Sequence, residues 1–378
     1  MSKKIRVAIV YGGKSGEHEV SLQSAASVLK NLDKSRFDII PISIDKKGQW
    51  QLNDLKLLEQ SKGKELPVFR EAPTVSLTTQ ENGKTQLATM KANEIQSLQD
   101  IDVVFPVMHG TFGEDGTIQG LFEMANIPYV GCGVLSSSVG MDKDFSKRIA
   151  MAAGIPVAPY LYLKAYEWKH NSNHWKKLVT EKLHYPVFVK PANLGSSVGI
   201  HKVKKEADLA KALDDAFLYD TKVLIEVGVN AREIEVAVLE NLEEGKTPLL
   251  GTVSEIVPNG AHEFYSYESK YLDEHGAELI LPAKLSAAQV EEAKAIALKT
   301  FAAFECSGMT RVDLFLDRDT NKFYFNELNT IPGFTSISMY PRMMEHAGIP
   351  YAKLLTHLIE LALKKQEQKN KLKRSFGQ

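Results

Sequence analysis

Cysteine is scarce in this sequence: 378 residues hold two, Cys132 and Cys306. They lie far apart and have no metal-ligand spacing, which argues against a disulfide-stapled module and against a thiolate metal site. Both sit among small residues and read as reduced thiols packed in a core. Charge of one sign is lacking as well. Lys plus Arg number 46 against 47 Asp plus Glu, for a formal net charge of −1, so no global field draws nucleic acid or a membrane surface. No apolar run reaches the roughly 20 residues that span a bilayer. The start, Lys3-Lys4 and the apolar residues after it, looks superficially like a secretory leader, but Arg6 interrupts the run and Gly12-Gly13-Lys14 end it too early. The expectation is a cytoplasmic protein that binds neither nucleic acid nor membrane.

Familiar site motifs are missing too. No G-x-G-x-x-G follows an expected strand, which speaks against a dinucleotide-binding dehydrogenase. Gly12-Gly13-Lys14-Ser15 resembles the end of a P-loop, yet that motif needs a glycine five residues before Gly13, where the chain has Ala8. No convincing Cys-His or Ser-His-Asp arrangement supplies a protein nucleophile.

What is present is an ordinary soluble composition, 44% hydrophobic and 25% charged, with enough chain for two or three cores. Ile5 to Tyr11 is a mostly apolar, β-branched run of the kind buried on both faces of a parallel sheet. It breaks at Gly12-Gly13 before a helix from about Val20 to Leu29, and the turn presents Ser15, Glu17, His18 and Glu19 where open α/β sheets bind ligands. Strands follow at Phe37–Ile44 and Ile101–Met108. The polar stretch between them, to about Gln99, suggests a surface hairpin at Asn82-Gly83 and no chemistry. A glycine-rich, charged loop, His109 to Gly116, precedes a helix from Thr117 to Ala125 and a short strand at Tyr129-Val130.

A helix from Gly140 to Ala153, with Asp142 as a plausible cap, marks the first boundary. Beyond it come a strand at Val157–Leu163, a helix around His174–Leu183, strands at Val187–Pro191 and Ile200–Val203, a helix at Glu206–Leu218 and a strand at Lys222–Val227. The loop Gly195-Ser196-Ser197-Val198-Gly199 offers freed backbone N–H groups and hydroxyls, a concavity for phosphates, although such a loop alone is more often a plain turn. Arg232–Leu239 alternates Glu233 and Glu235 with apolar residues, giving one acidic sheet face. Leu249–Val257 is another strand. Pro258 to Pro282, with Tyr265, Tyr267, Lys270 and Tyr271, reads as a long irregular lid. An amphipathic helix, Ser286 to Phe304, follows it. Helices at Ile337–Ala347 and Tyr351–Leu363 lead to a basic tail, Lys364 to Arg374, expected to be a solvated, frayed helix end.

The strongest chemistry lies in an expected hairpin of Met309–Leu316 and the strand that begins at Phe323. Asp313 on one strand and Glu327 and Asn329 on the other form an all-oxygen set suited to a hard cation such as Mg2+. An exposed sheet face with ordinary salt bridges is the competing reading, and for a lone D-x-F or E-x-N it is the commoner one.

Four motifs in order, Gly12-Gly13-x-Ser15-x-Glu17-x-Glu19-Val20-Ser21, His109-Gly110-x-x-Gly113-Glu114-Asp115-Gly116, Gly195 to Gly199, and Glu327-x-Asn329-Thr330-x-Pro332-Gly333, resemble those of D-alanine:D-alanine ligases of the ATP-grasp superfamily. The resemblance spans nearly the whole chain. It implies a three-domain α/β ATP-grasp fold, with an N-terminal Rossmann-like α/β domain at 1–140, a central domain at 141–230 and a C-terminal metal-binding domain at 231–378. It also implies that ATP activates one D-alanine as an acyl phosphate, which the amine of a second D-alanine attacks, giving the dipeptide used for peptidoglycan. A homodimer is implied as well.

Residue by residue, the resemblance makes Asp313, Glu327 and Asn329 ligands of two Mg2+ ions, with Mn2+ able to substitute. Arg311 steadies the acyl phosphate and the oxyanion, a task for a permanently charged planar donor, and Gly333 donates its N–H to that oxyanion. Lys143, Lys190 and the loop of Gly195, Ser196, Ser197, Val198 and Gly199 contact phosphates, while Glu226 and Glu233 hold adenine and ribose. Glu17 receives the ammonium of the first D-alanine, His109 lies near the same pocket and Ser338 orients the second carboxylate. Lys270 binds substrate and nucleotide. Depsipeptide-forming relatives carry a histidine where this chain has Tyr271, so a neutral phenol linked to Ser196 and Glu17 favours the dipeptide. The rivals are another ATP-grasp carboxylate ligase and a nucleotide-binding regulator that lost the chemistry; the second should have lost Arg311 or a metal ligand.

Overall fold

A computed structural model of the chain describes residues 3–60, 66, 72–80, 85–91, 94–259 and 276–373. Among these residues three sheets form. The first runs, edge to edge, Glu94–Asp100, Thr85–Lys91, Thr74–Thr79, Trp50–Leu52, Phe37–Ile44, Ile5–Gly12 and Val103–Val107. Ile5–Gly12 pairs in parallel with both Phe37–Ile44 and Val103–Val107, so from Val7 onward it is buried on both faces, as its mostly apolar run leads one to expect. Side-chain alternation splits it between two cores. Val7, Ile9 and Tyr11 pack with Phe334, Tyr340, Leu354 and Leu358 from the end of the chain, while Ala8 and Val10 pack with Ile42, Ile118 and Phe122. The last helix, Tyr351–Asn370, thus packs on one face of the first sheet.

The polar stretch after Ile44 is more than a surface hairpin. Thr74–Thr79 and Thr85–Lys91 do pair antiparallel across the expected turn, but they and two further strands extend the first sheet outward.

The second sheet has the order His201–Val203, Val187–Pro191, Lys222–Val227, Tyr160–Lys164 and is antiparallel throughout. Instead of one helix from Gly140 to Ala153, two form, Val134–Met141 and Lys143–Ala152. Asp142 separates them, because its extended backbone lets its carboxylate accept the N–H groups of Asp144 and Phe145. A cap of this kind contributes about 1 kcal/mol, and here it re-aims the chain.

The third sheet runs Ala277–Ile280, Ser254–Pro258, Ala231–Leu239, Met309–Asp317, Phe323–Asn329, with Leu249–Leu250 also paired to Ala231–Leu239. Ala277–Ile280 corrects the reading of 258–282 as irregular throughout: that part is strand. Residues 260–275, with Lys270 and Tyr271, lie outside the described residues. Apolar alternates Ile234, Val236, Val312, Leu314 and Phe325 pack on the Ala287–Ala303 helix. Ser286 and Gln289 cap that helix reciprocally. The polar alternates face the other way.

The tail departs from expectation too. The last helix continues to Asn370, and three of the tail's lysines are docked, while Lys371 and Lys373 are exposed as expected. Lys364 donates to the Leu242 carbonyl and Lys365 to Ser307 Oγ, both at 2.6 Å, while Lys369 pairs with Glu123. Both thiols are free, Cys132 buried and Cys306 half-buried. Among the described residues, no helix is long and apolar enough to cross a membrane.

Candidate active site

The polar face of the third sheet is built by register. Glu235 stands beside Asp313, and Asp313 stands opposite Glu327, with Arg311 opposite Asn329. Strict alternation would put Glu327 and Asn329 on the face of Phe323 and Phe325, which is the core. A bulge prevents this: Leu314 pairs with Phe325 while Asp313 pairs with Glu327, leaving Asn326 as the extra residue. The strand changes faces there, so Leu328 turns inward and Glu327 and Asn329 turn outward.

Arg311 forks onto Asp313 with two bonds of 2.7 Å and lies 3.1 Å from Glu235 Oε1. Asn329 donates to Asp313 Oδ2 at 2.9 Å, and Lys143 Nζ stands 3.9 Å from Glu327. Burial costs the guanidinium, but Asp313 and Glu235 outweigh it and hold its pKa well above the ordinary value. Two opposed carboxylates and a carboxamide on one face fit a hard dication, whose oxygen donors they supply.

Above this face lie two adjoining cavities, of about 200 and 470 Å3, with Lys143, Arg311 and Glu327 on the walls of both. The smaller one takes Glu17, His109, Gly195, Ser196, Asn329, Gly333 and Ser338. Glu17 enters at the start of the His18–Asn31 helix, after the Gly12-Gly13 turn. Ser196 Oγ donates to its carboxylate, and a side chain on either Gly110 or Gly195 would collide with that carboxylate. Glycine at both positions lets the two loops close on Glu17 without displacing its carboxylate. Ser196 and Ser197 carry φ of 52° and 59°, left-handed values that bend the loop over the cavity.

The larger cavity takes Lys190, Ser197, Glu226, Glu233 and Asp313. Glu226 is held by Lys190 and Lys147, each at 2.6 Å. Burial pushes its carboxyl up, yet the two lysines win and bring it down to about 2. Val198 and Gly199 line neither cavity; Val198 N–H bonds back to the Gly195 carbonyl at 3.3 Å, and they shape the loop instead. Ser338 Oγ accepts the Thr335 N–H at 2.9 Å.

His109 lines the smaller cavity and is held there by the protein itself. Its Nε2 lies 2.9 Å from Ser24 Oγ and its Nδ1 3.1 Å from the Ile331 carbonyl, so protein groups face both ring nitrogens. Burial lowers its pKa to about 4 and keeps it neutral. Three residues at the site drew no role from sequence reasoning: Glu114, Glu235 and Lys147. Glu235 was visible in the acidic alternation, Glu114 in the 109–116 loop, and Lys147 only as the residue one turn after Lys143.

The chain is similar to known proteins along most of its length. Residues 6–132 match the family described as D-ala D-ala ligase N-terminus, and residues 149–360 the D-ala D-ala ligase C-terminus. D-alanine--D-alanine ligase A of Bradyrhizobium diazoefficiens is 55% identical over all of both chains. The solved VanG D-Ala:D-Ser ligase of Enterococcus faecalis superposes with a TM-score of 0.80 at 36% identity, covering 95% of this chain and all of that one. The D-alanine-D-alanine ligase of Coxiella burnetii gives 0.79 at 34% identity, covering 98% of this chain and 97% of its own. The chain belongs to the D-alanine–D-alanine ligase family.

Proposed function

We propose that the chain joins two D-alanine molecules, converting ATP to ADP and phosphate, through an acyl-phosphate intermediate on the first. The observation that carries this reading is the shared wall: Lys143, Arg311 and Glu327 border both cavities, so a nucleotide in the larger meets an amino acid in the smaller beside the same two cations. With no protein nucleophile in play, the rate comes from positioning and charge.

Glu17 takes the ammonium of the first D-alanine, with Ser196 orienting its carboxylate. Arg311, permanently charged, faces the carboxylate as it becomes an acyl phosphate and then the tetrahedral oxyanion, and Gly333 N–H shares that oxyanion. Ser338 orients the second D-alanine. Lys143 and Lys190 contact phosphates under the Gly195–Gly199 loop, while Glu226 and Glu233 hold adenine and ribose. Lys190 has three N–H donors, so it can meet phosphate while one of them stays on Glu226, and Lys147 holds the other oxygen of that carboxylate. Asp313, Glu327 and Asn329 would hold Mg2+, which neutralises phosphate oxygens when bound. One sheet within each of 1–140, 141–230 and 231–378 supports those spans as domains. Lys270 and Tyr271 complete the reading as lid residues that favour an amine over a hydroxyl acceptor.

The test is phosphate release with ATP and Mg2+ in the presence of D-alanine alone, D-alanine plus D-lactate, or L-alanine, with products identified by mass. Release with D-alanine alone and a dipeptide product is expected. A requirement for D-lactate would reject the lid assignment, and nucleotide binding without turnover would reject the ligase.

A further inference from the structure

Glu114 has no task in the reading above, yet it lines the smaller cavity. Its carboxylate joins two parts of the chain that lie far apart in sequence. Oε2 accepts the Gly110 N–H at 2.8 Å, and Oε1 accepts the Ile331 N–H at 3.2 Å. The carbonyl of the same Ile331 is taken by His109 Nδ1. A neutral imidazole protonated at Nδ1 donates to Ile331 and accepts from Ser24 at Nε2, which satisfies both contacts. Ser24 Oγ in turn accepts the Phe334 N–H at 3.2 Å. The peptide groups of Ile331 and Phe334 are therefore each fixed by side chains of the N-terminal part of the chain. Gly333 lies between them.

We infer that Glu114, together with His109 and Ser24, is a positioning clamp that aims the Gly333 N–H at the acyl-transfer centre by holding the backbone on either side of it. The inference rests on the reading of Gly333 as an oxyanion donor. Glycine at 333 has no side chain to lock it, and a Cβ there would crowd Ser338, so the direction of its N–H must be imposed from its neighbours. The same carboxylate fixes the Gly110 peptide against Glu17, which ties the ammonium anchor and the oxyanion donor to one rigid frame. A neutral glutamine could bridge one N–H with its carbonyl, but its NH2 would face the second N–H as donor against donor.

The experiment compares the full-length parent with Glu114→Gln and Ser24→Ala in steady-state phosphate release, nucleotide binding and thermal melting. Displacing a reacting group by about an ångström costs roughly a hundredfold in rate. Measured above pH 8, where the parent carboxylate is ionised, kcat should fall by about that factor in Glu114→Gln and by about tenfold in Ser24→Ala, with the nucleotide Kd within about twofold of the parent. A kcat equal to the parent's in both variants would overturn the clamp. So would a loss of kcat matched by equal loss of nucleotide affinity and a lowered melting temperature, since general loosening would then explain it. A parent chain that turned over no D-alanine would remove the functional reading and the clamp with it, whereas an active parent matched by both variants would remove the clamp alone.

Discussion

The ammonium of Lys147 meets the carboxylate of Glu226 at 2.6 Å where both side chains are 1% exposed. Lys190 reaches the other oxygen of the same carboxylate at 2.6 Å, so one buried acid stands between two cations. Burial alone pushes Lys147 down, and Glu226 supplies the compensation. Removing one partner of a buried pair costs about 3–5 kcal/mol because it strands the other. Lys190 still holds Glu226, so Lys147→Met should sit at the lower end, about 3 kcal/mol by urea unfolding. Glu226, held at about 2 in the folded chain, contributes stability that is full above its ordinary value and is lost as pH falls towards 2. Lys147→Met should therefore lose less stability than the parent between pH 4.5 and 2, and equal acid sensitivity would show that Lys147 does not set this carboxyl.

Asp313 and Glu327 face each other in register, and the Asn329 amide already reaches Asp313. If these oxygens hold the dication, Glu327→Gln removes a charged donor and leaves the hairpin intact. The Mg2+ concentration for half-maximal phosphate release should rise by at least the roughly tenfold to hundredfold typical of outer-shell changes. Calorimetric titration of Mg2+ into the nucleotide complex checks the same point without turnover. An unshifted Mg2+ requirement would move the metal elsewhere.

The motifs of this site were legible because chemistry constrains them locally: Gly12-Gly13 must turn, Asp313 must point with Arg311, and the 195–199 loop must bend. The Ile5–Gly12 and Phe37–Ile44 strands were legible too, since burial on both faces writes mostly apolar, β-branched runs. What escaped reading depends on contacts distant in sequence. Glu327 and Asn329 share one face as expected, but through a bulge at Asn326 that alternation does not announce; period two from Phe323 would have buried them. The basic tail looked like a frayed end because nothing in its own sequence names Glu123 or Ser307 as partners. Lys147 reads as one more helix lysine until the strand bearing Glu226 is laid beside it. His109 was placed near the pocket by resemblance alone, because nothing in its glycine loop names Ser24 or Ile331 as the partners of its two ring nitrogens.

Ser196 bends into left-handed backbone to donate to Glu17. A hydrogen bond to a charged group is worth about 1.5–3 kcal/mol, so Ser196→Ala should lower kcat/KM for D-alanine by about tenfold to a hundredfold. The loop backbone at 195 and 197 remains, so KM for ATP should change little. A loss confined to ATP would assign Ser196 to the nucleotide alone.

Burial, and then the charge of Glu17, push the Glu114 carboxyl up to about 8, against the pull of the Gly110 and Ile331 N–H groups and of Arg311. Neutral His109 adds no charge to this balance. The folded chain therefore binds a proton at Glu114 that the unfolded chain releases near 4.5. The stability linked to that proton is complete below the unfolded value and is lost as pH rises towards 8. Glu114→Gln carries no such proton, so its melting temperature relative to the parent should improve between pH 5 and pH 8. Catalysis runs the other way, since only the ionised carboxylate accepts both N–H groups and completes the clamp. The parent's kcat should climb through pH 8 while that of Glu114→Gln lacks this rise. Parallel pH profiles of kcat and melting temperature for the two proteins would mean that Glu114 titrates outside this range.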